Sequence, residues 1–149
     1  MAAMPKPVTL AGVRASLARD RVAVISTIGP DGCPQAALVG FALGDRLDLI
    51  FDTATDSRKH ANLVRDPRVA VVVGGWGDEH TIQLQGRAVP PTGQALERAR
   101  AHYFAVYPSG RDRAADPSIL IYVITPTWVH YSDYATTPAT IAELDLSKR

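Results

Sequence analysis

The sequence predicts a mainly β protein with peripheral helices, an antiparallel barrel of six or seven short strands. Three observations carry that expectation. Runs rich in Val, Ile and Leu are only seven to nine residues long, and tight turns of Gly, Pro and Asp join most of them. Helical spacing of apolar residues occurs at only three places, too few for the strand-helix alternation of a parallel doubly wound sheet.

The elements follow in order. Residues 9–20 carry Leu10, Val13 and Leu17 at helical spacing with Thr9 as N-cap, so a short amphipathic helix covers one end of the sheet. "RVAVISTI" (21–28), the turn "GPDGCP" and "QAALVGFAL" (35–43) read as a hairpin, and "RLDLIFDT" (46–53) as the next strand. A helix opening near Arg58 is ended by Pro67, and "RVAVVVGG" (68–75) is a buried strand. "TIQLQGRAV" (81–89) alternates strictly, with Thr81, Gln83 and Gln85 on one face and Ile82 and Leu84 on the other. Residues 92–107 form a helix, "PSGRDRAADPS" a loop, "ILIYVITP" and "WVHYSDY" two closing strands, and residues 136–149 a polar, frayed tail. The whole chain, 1–149, reads as one domain.

Composition sets outer limits. At 149 residues, 46% apolar and 21% charged with a formal net charge of +1, this is an ordinary globular composition that points to no nucleic-acid partner. A domain of this length buries about 70% of the surface its unfolded chain exposes, so it needs no disulfide, and its single Cys33 offers none. The N-terminal "MAAMPKPVTLAG" lacks a signal-peptide core and no apolar run is long enough to span a membrane. The cytoplasm, with no membrane partner, is the expectation.

Within "FDTATDSRKHANLVRDP" (51–67), Arg58 and Lys59 stand at a helix start, where the macrodipole is itself positive and each exposed cation costs about 0.3–1 kcal/mol. A bound anion reverses that sign. Free helix N–H groups, the hydroxyls of Thr53, Thr55 and Ser57, a guanidinium and an ammonium form a donor-only set suited to a phosphate monoester. The plainer alternative is that Asp56 or Ser57 caps the helix while both cations face solvent. The face bearing Thr81, Gln83 and Gln85 is open in the same way: it lines a site needing uncharged donors and acceptors, or it faces water.

Taken together and in order, "PQAALVGF", "FDTATDSRK" and "TIQLQGRAV" resemble the pyridoxamine 5'-phosphate oxidase-like FMN-binding split-barrel family over residues 15–134. The resemblance implies a split barrel, a homodimer with flavin at the interface, and an FMN phosphate held by Thr53, Ser57, Arg58 and Lys59. It implies further that Gln35, Ala36, Ala37, Leu38 and Val39, following Pro34, line the flavin, with Asp52 beside Thr53. Thr81 matches a flavin-contacting glutamine of the vitamin B6 enzymes, and Gln83 lies two residues on.

Two substrate-phosphate ligands of those enzymes, a lysine and an arginine, are replaced by Val39 and Tyr107, and their C-terminal tryptophan-and-arginine segment has no counterpart. Oxidation of vitamin B6 phosphates is therefore not expected. The expected function is that of an FMN-dependent oxidoreductase moving hydride or electrons between a reduced nicotinamide or other donor and a different small molecule. The alternatives are a deazaflavin coenzyme in the same groove, or a flavin- or haem-binding module without turnover.

No hydrolytic triad or paired carboxylates stand out, and His60, His80, His102 and His130 lack metal-site spacing, so structural or surface roles are expected for them. Cys33 has no neighbouring cation to activate it. Trp128, Tyr131 and Tyr134 form an apolar wall near the flavin or serve as core and dimer contacts; Trp76, in a Gly-rich turn, is a second candidate contact.

Overall fold

A computed structural model describes residues 7–148. The N-terminal stretch read above as lacking a leader lies, over residues 1–6, outside the described residues. The order is α1 (Leu10–Leu17), β1 (Val22–Ile28), β2 (Pro34–Gly40), β3 (Ala42–Leu43), β4 (Leu49–Ala54), α2 (Arg58–Arg65), β5 (Arg68–Gly75), β6 (His80–Val89), α3 (Gly93–Val106), α4 (Gly110–Ala114), β7 (Ile119–Asp133) and β8 (Thr140–Asp145). All described pairings are antiparallel, along a path β2-β1-β5-β6-β7-β4-β3 with β8 added on β7. The curled sheet stays open: β2 comes alongside β4, but among the described residues no ladder joins them.

The concave side of the sheet is the main core. Ile25, Phe51, Ile82, Leu84, Tyr122 and Val129 meet there, and α1 closes one end with Val13 and Leu17. Thr9 caps α1 by accepting a hydrogen bond from the Gly12 amide, as its position in the sequence predicts. A smaller cluster lies on the convex side, where Ala42, Ile50 and Ile121 pack under Ala99 and Tyr103 of α3. Each large apolar side chain so buried contributes about 1.5–3 kcal/mol. Helix α3 covers only the β3-β4-β7 part of the convex side.

Four sequence expectations change. The run 35–43 is two strands, because Phe41, 2% exposed, turns inward and donates its amide to the Arg21 carbonyl; the chain leaves β1 there and joins β4. The two closing strands are one, β7. Pro126 lies between its ladder with β4, which ends at Ile124, and its ladder with β8, which begins at Trp128, so the missing N–H disturbs neither. The loop 108–118 contains α4, a single short turn whose Gly110 packs on Tyr103 and Phe104. The tail is not frayed over 140–145: it is β8, with Ala142 and Leu144 turned inward and Ile141, Glu143 and Asp145 outward. Only half of its residues are even partly covered, which is why it reads as polar.

β6 and β7 shift register between Gln85 and Gly86, a bulge that bends both strands. A Cβ added at Gly86 would lie 2.4 Å from the Thr125 carbonyl oxygen. Gly86→Ala is expected to cost about 1–3 kcal/mol through displaced backbone, read as a lower urea midpoint with an unchanged slope.

Candidate functional site

Strand β4 delivers Thr53, buried at 4%, to the concave side, and the chain then turns directly into α2. Thr53 Oγ1 and Ser57 Oγ are 3.0 Å apart and hydrogen-bonded. Ser57 is the N-cap of α2, accepting the His60 amide at 3.1 Å. That leaves the amides of Arg58 and Lys59 as first-turn donors with no acceptor inside the helix. Arg58 is exposed and Lys59 half-buried, and among the described residues neither side chain has a hydrogen-bond or ion-pair partner. The helix start has no acidic residue in its first turn. Cap, hydroxyl pair and both cations therefore fall within seven residues of one corner, where Asp56, just before the cap, is the one carboxylate of the stretch 53–59.

His60, one turn in, was not singled out by the sequence. Its Nδ1 lies 2.9 Å from the Tyr122 hydroxyl, and its ring meets Tyr122 edge-on at 6.0 Å. Burial holds the Tyr122 phenol above its ordinary pKa, so it is protonated at neutral pH and can donate to that nitrogen. The pair fixes the first turn of α2 against β7.

β2 is an edge strand beside the same corner. Its main-chain groups pair with β1 on one side only, leaving the other edge with unmatched donors and acceptors. Side chains alternate: Gln35, Ala37 and Val39 turn inward, Ala36 and Leu38 outward, with Leu38 73% exposed. Gln35 does not project freely, since its amide oxygen accepts from Asn62 Nδ2 at 3.0 Å.

Thr81, Gln83 and Gln85 lie on the convex side, the first half-buried and the other two exposed. By register they share one surface with Leu38, Val24 and Val72 toward β2, and with Trp128 and His130 toward β8. Val22, Leu38, Val72 and Ile141 leave that surface apolar and exposed, with no helix packed over them among the described residues. Trp128 and Tyr131 point to opposite sides, and Tyr134 is exposed beyond them, so the three do not form one wall. Trp76 stands free at the far hairpin, 91% exposed.

Asp52 and Thr53 are adjacent, yet strand alternation sends them to opposite sides. The Asp52 carboxylate meets the α3–α4 layer, where Arg113 Nε and Nη2 donate to it at 2.9 and 3.3 Å, and Tyr103 lies against it. Burial, then the Asp52 charge, push the Tyr103 phenol up; Asp52 in turn raises the Arg113 pKa. Only the main chain of Asp52 remains on the Thr53 side. Val39 sits in the main core, and Tyr107 donates to the Arg21 carbonyl with its ring over Gly40. Where the resemblance called for two cations, an aliphatic and an aromatic group are fixed. The other histidines pair with carboxylates: His80 with Asp20, His102 with Asp45 and His130 with Glu143. Among the described residues no helix is long and apolar enough to cross a membrane.

The sequence model of the pyridoxamine 5'-phosphate oxidase family matches residues 10–133. The chain belongs to that family. It is 32% identical over 104 residues to a pyridoxine/pyridoxamine 5'-phosphate oxidase of Rubrobacter xylanophilus, and 36% identical over 101 residues to that of Thermobifida fusca. Those alignments cover 69% and 68% of this chain but 46% and 44% of the relatives, so the chain spans about half the length of the curated proteins it matches. Among solved structures, a heme binding protein from Mycobacterium smegmatis superposes with a TM-score of 0.82 at 19% identity, covering 95% of this chain and 60% of that one. A pyridoxamine 5'-phosphate oxidase-related, FMN binding protein from Nostoc punctiforme superposes with a TM-score of 0.73 at 15% identity, covering 94% and 92%. These likenesses establish the split-barrel fold.

Ser57 joins the hydroxyl pair to the helix cap. Ser57→Ala is expected to lower stability by about 1 kcal/mol, measured by urea unfolding, because the His60 amide and Thr53 hydroxyl each lose a partner.

Proposed function

We propose that the protein binds FMN and acts as an oxidoreductase on a small molecule other than a vitamin B6 phosphate. The observation that carries this reading is the corner at α2: Arg58 and Lys59, without partners among the described residues, stand over first-turn amides and the Thr53–Ser57 hydroxyls. Apart from Asp56, which precedes the cap, the groups there donate or can donate, which fits a dianionic phosphate. The open edge of β2 offers main-chain donors and acceptors to the rim of the isoalloxazine ring. FMN supplies hydride or electron transfer when bound. The chain's own part is to fix the phosphate at one end, align the ring along β2 at the other, and limit access to the ring.

We assign the bare convex surface around Val22, Leu38 and Val72 to a second copy of the chain. Its apolar groups sit beside the β2 edge, so a homodimer covering them would bring Thr81 and Gln83 of one subunit toward the flavin groove of the other. Val39 and Tyr107 supply no charge for a substrate phosphate, which argues for an acceptor or donor without one. The M. smegmatis heme binding protein keeps a haem-binding module as the second reading.

Three outcomes are expected. The molecule released from purified protein on denaturation is FMN by mass; haem or a deazaflavin would transfer the corner to that ligand. Arg58→Ala weakens FMN binding by about 1.5–3 kcal/mol, the range for hydrogen bonds to a charged group, while the melting temperature of the apoprotein holds because Arg58 has no hydrogen-bond or ion-pair partner among the described residues. Leu38→Asp shifts the sedimentation coefficient from dimer to monomer; a variant that sediments unchanged would remove this surface from the interface.

A further inference from the structure

Asn62 lies on α2 one turn beyond the Arg58–Lys59 corner and is 2% exposed. Its Nδ2 donates both its hydrogens, to Thr27 Oγ1 on β1 at 2.9 Å and to Gln35 Oε1 on β2 at 3.0 Å. Its Oδ1 accepts from Arg65 Nη2 at 2.7 Å, and the same Arg65 nitrogen donates to the Ile28 carbonyl at 3.2 Å. One buried amide thus ties the helix to the end of β1 and the beginning of β2, on either side of the 29–33 hairpin turn. Buried polar groups bonded this fully resist displacement, since leaving any one unpaired costs the desolvation of that group.

The reading above places the two ends of FMN on two different elements: the phosphate on α2 and the ring on β2. Among the described residues no ladder joins these elements, and β1 is the one strand with which β2 pairs. We propose that Asn62 is the positioning residue of the flavin site, setting the distance and angle between the start of α2 and the edge of β2. The inference rests on the FMN reading. Asn62 itself touches no ligand; it acts through Gln35 and through the first turn of α2. A ligand that spans both elements gains from their fixed spacing, whereas one that uses a single element does not.

Asn62→Leu keeps the branched shape and removes the bonds. Against wild type, FMN affinity is expected to fall about tenfold, while affinities for riboflavin, which reaches β2 alone, and inorganic phosphate, which reaches α2 alone, stay within about twofold. Asn62→Asp is expected to restore the FMN value, because Thr27 and a flipped Gln35 amide can both donate to a carboxylate that Arg65 balances. Equal losses for all three ligands would overturn the proposal and leave Asn62 a fold residue. If Asn62→Leu does not fold, Thr27→Val cuts only the arm to β1, the strand that carries β2, and must show the same split. A readout independent of FMN is amide exchange over residues 34–40: inorganic phosphate slows it in wild type and not in Asn62→Leu. Wild type that ignores FMN yet shows this phosphate effect would sink the FMN reading and keep the coupling; absence of the effect in wild type would sink the coupling.

Discussion

The fifteen-residue ladder of β7 is the constraint on which the remaining structure depends. Along one edge it pairs with β6 from Val123 to Asp133; along the other it serves β4 and then β8. Because successive residues face opposite sides, the same strand supplies Tyr122, Ile124 and Val129 to the barrel interior and Ile121 to the layer under α3. A slip of one residue would exchange those two sets. The bulge at Gly86 and the gap at Pro126 let one strand curve enough to do both tasks.

The geometry of the site follows from that curvature. β4 is pinned to β7, so Thr53 arrives at a fixed place, and Ser57 then starts α2 within a single turn. Tyr122 of β7 holds the same helix from below through His60. The corner is thus supported by strand, cap and ring contacts, none of which uses Arg58 or Lys59. Their charge is left over from folding, which separates what holds the corner together from what the corner can hold.

Much of this was legible in the sequence, for reasons that can be named. Strict alternation in 81–89 and the β-branched runs at 22–28 and 68–75 report strands directly, and Thr9, Ser57 and Pro67 mark helix ends by local chemistry. The hidden parts depend on distant neighbours. Nothing local says that Phe41 turns a corner, that Pro126 falls between two ladders, or that half of "TIAELD" is covered by the barrel. In the site, the hydroxyl and cation cluster lies within seven residues and could be read; the partners of Asn62 come from 27 and 35, and that of Asp52 from 113, so no window of sequence contains them.

The open edge of β2 has a consequence for how the protein must behave before any ligand or partner arrives. Unmatched strand edges recruit other strands without discrimination, and Leu38 makes this one adhesive as well. Pro34 at its start and the corner at Phe41 keep it seven residues long, too short to template an extended stack readily. Newly made chains therefore live with a compromise between solubility and recognition: the edge that would admit a ring must be exposed, and its brevity is what keeps that exposure safe.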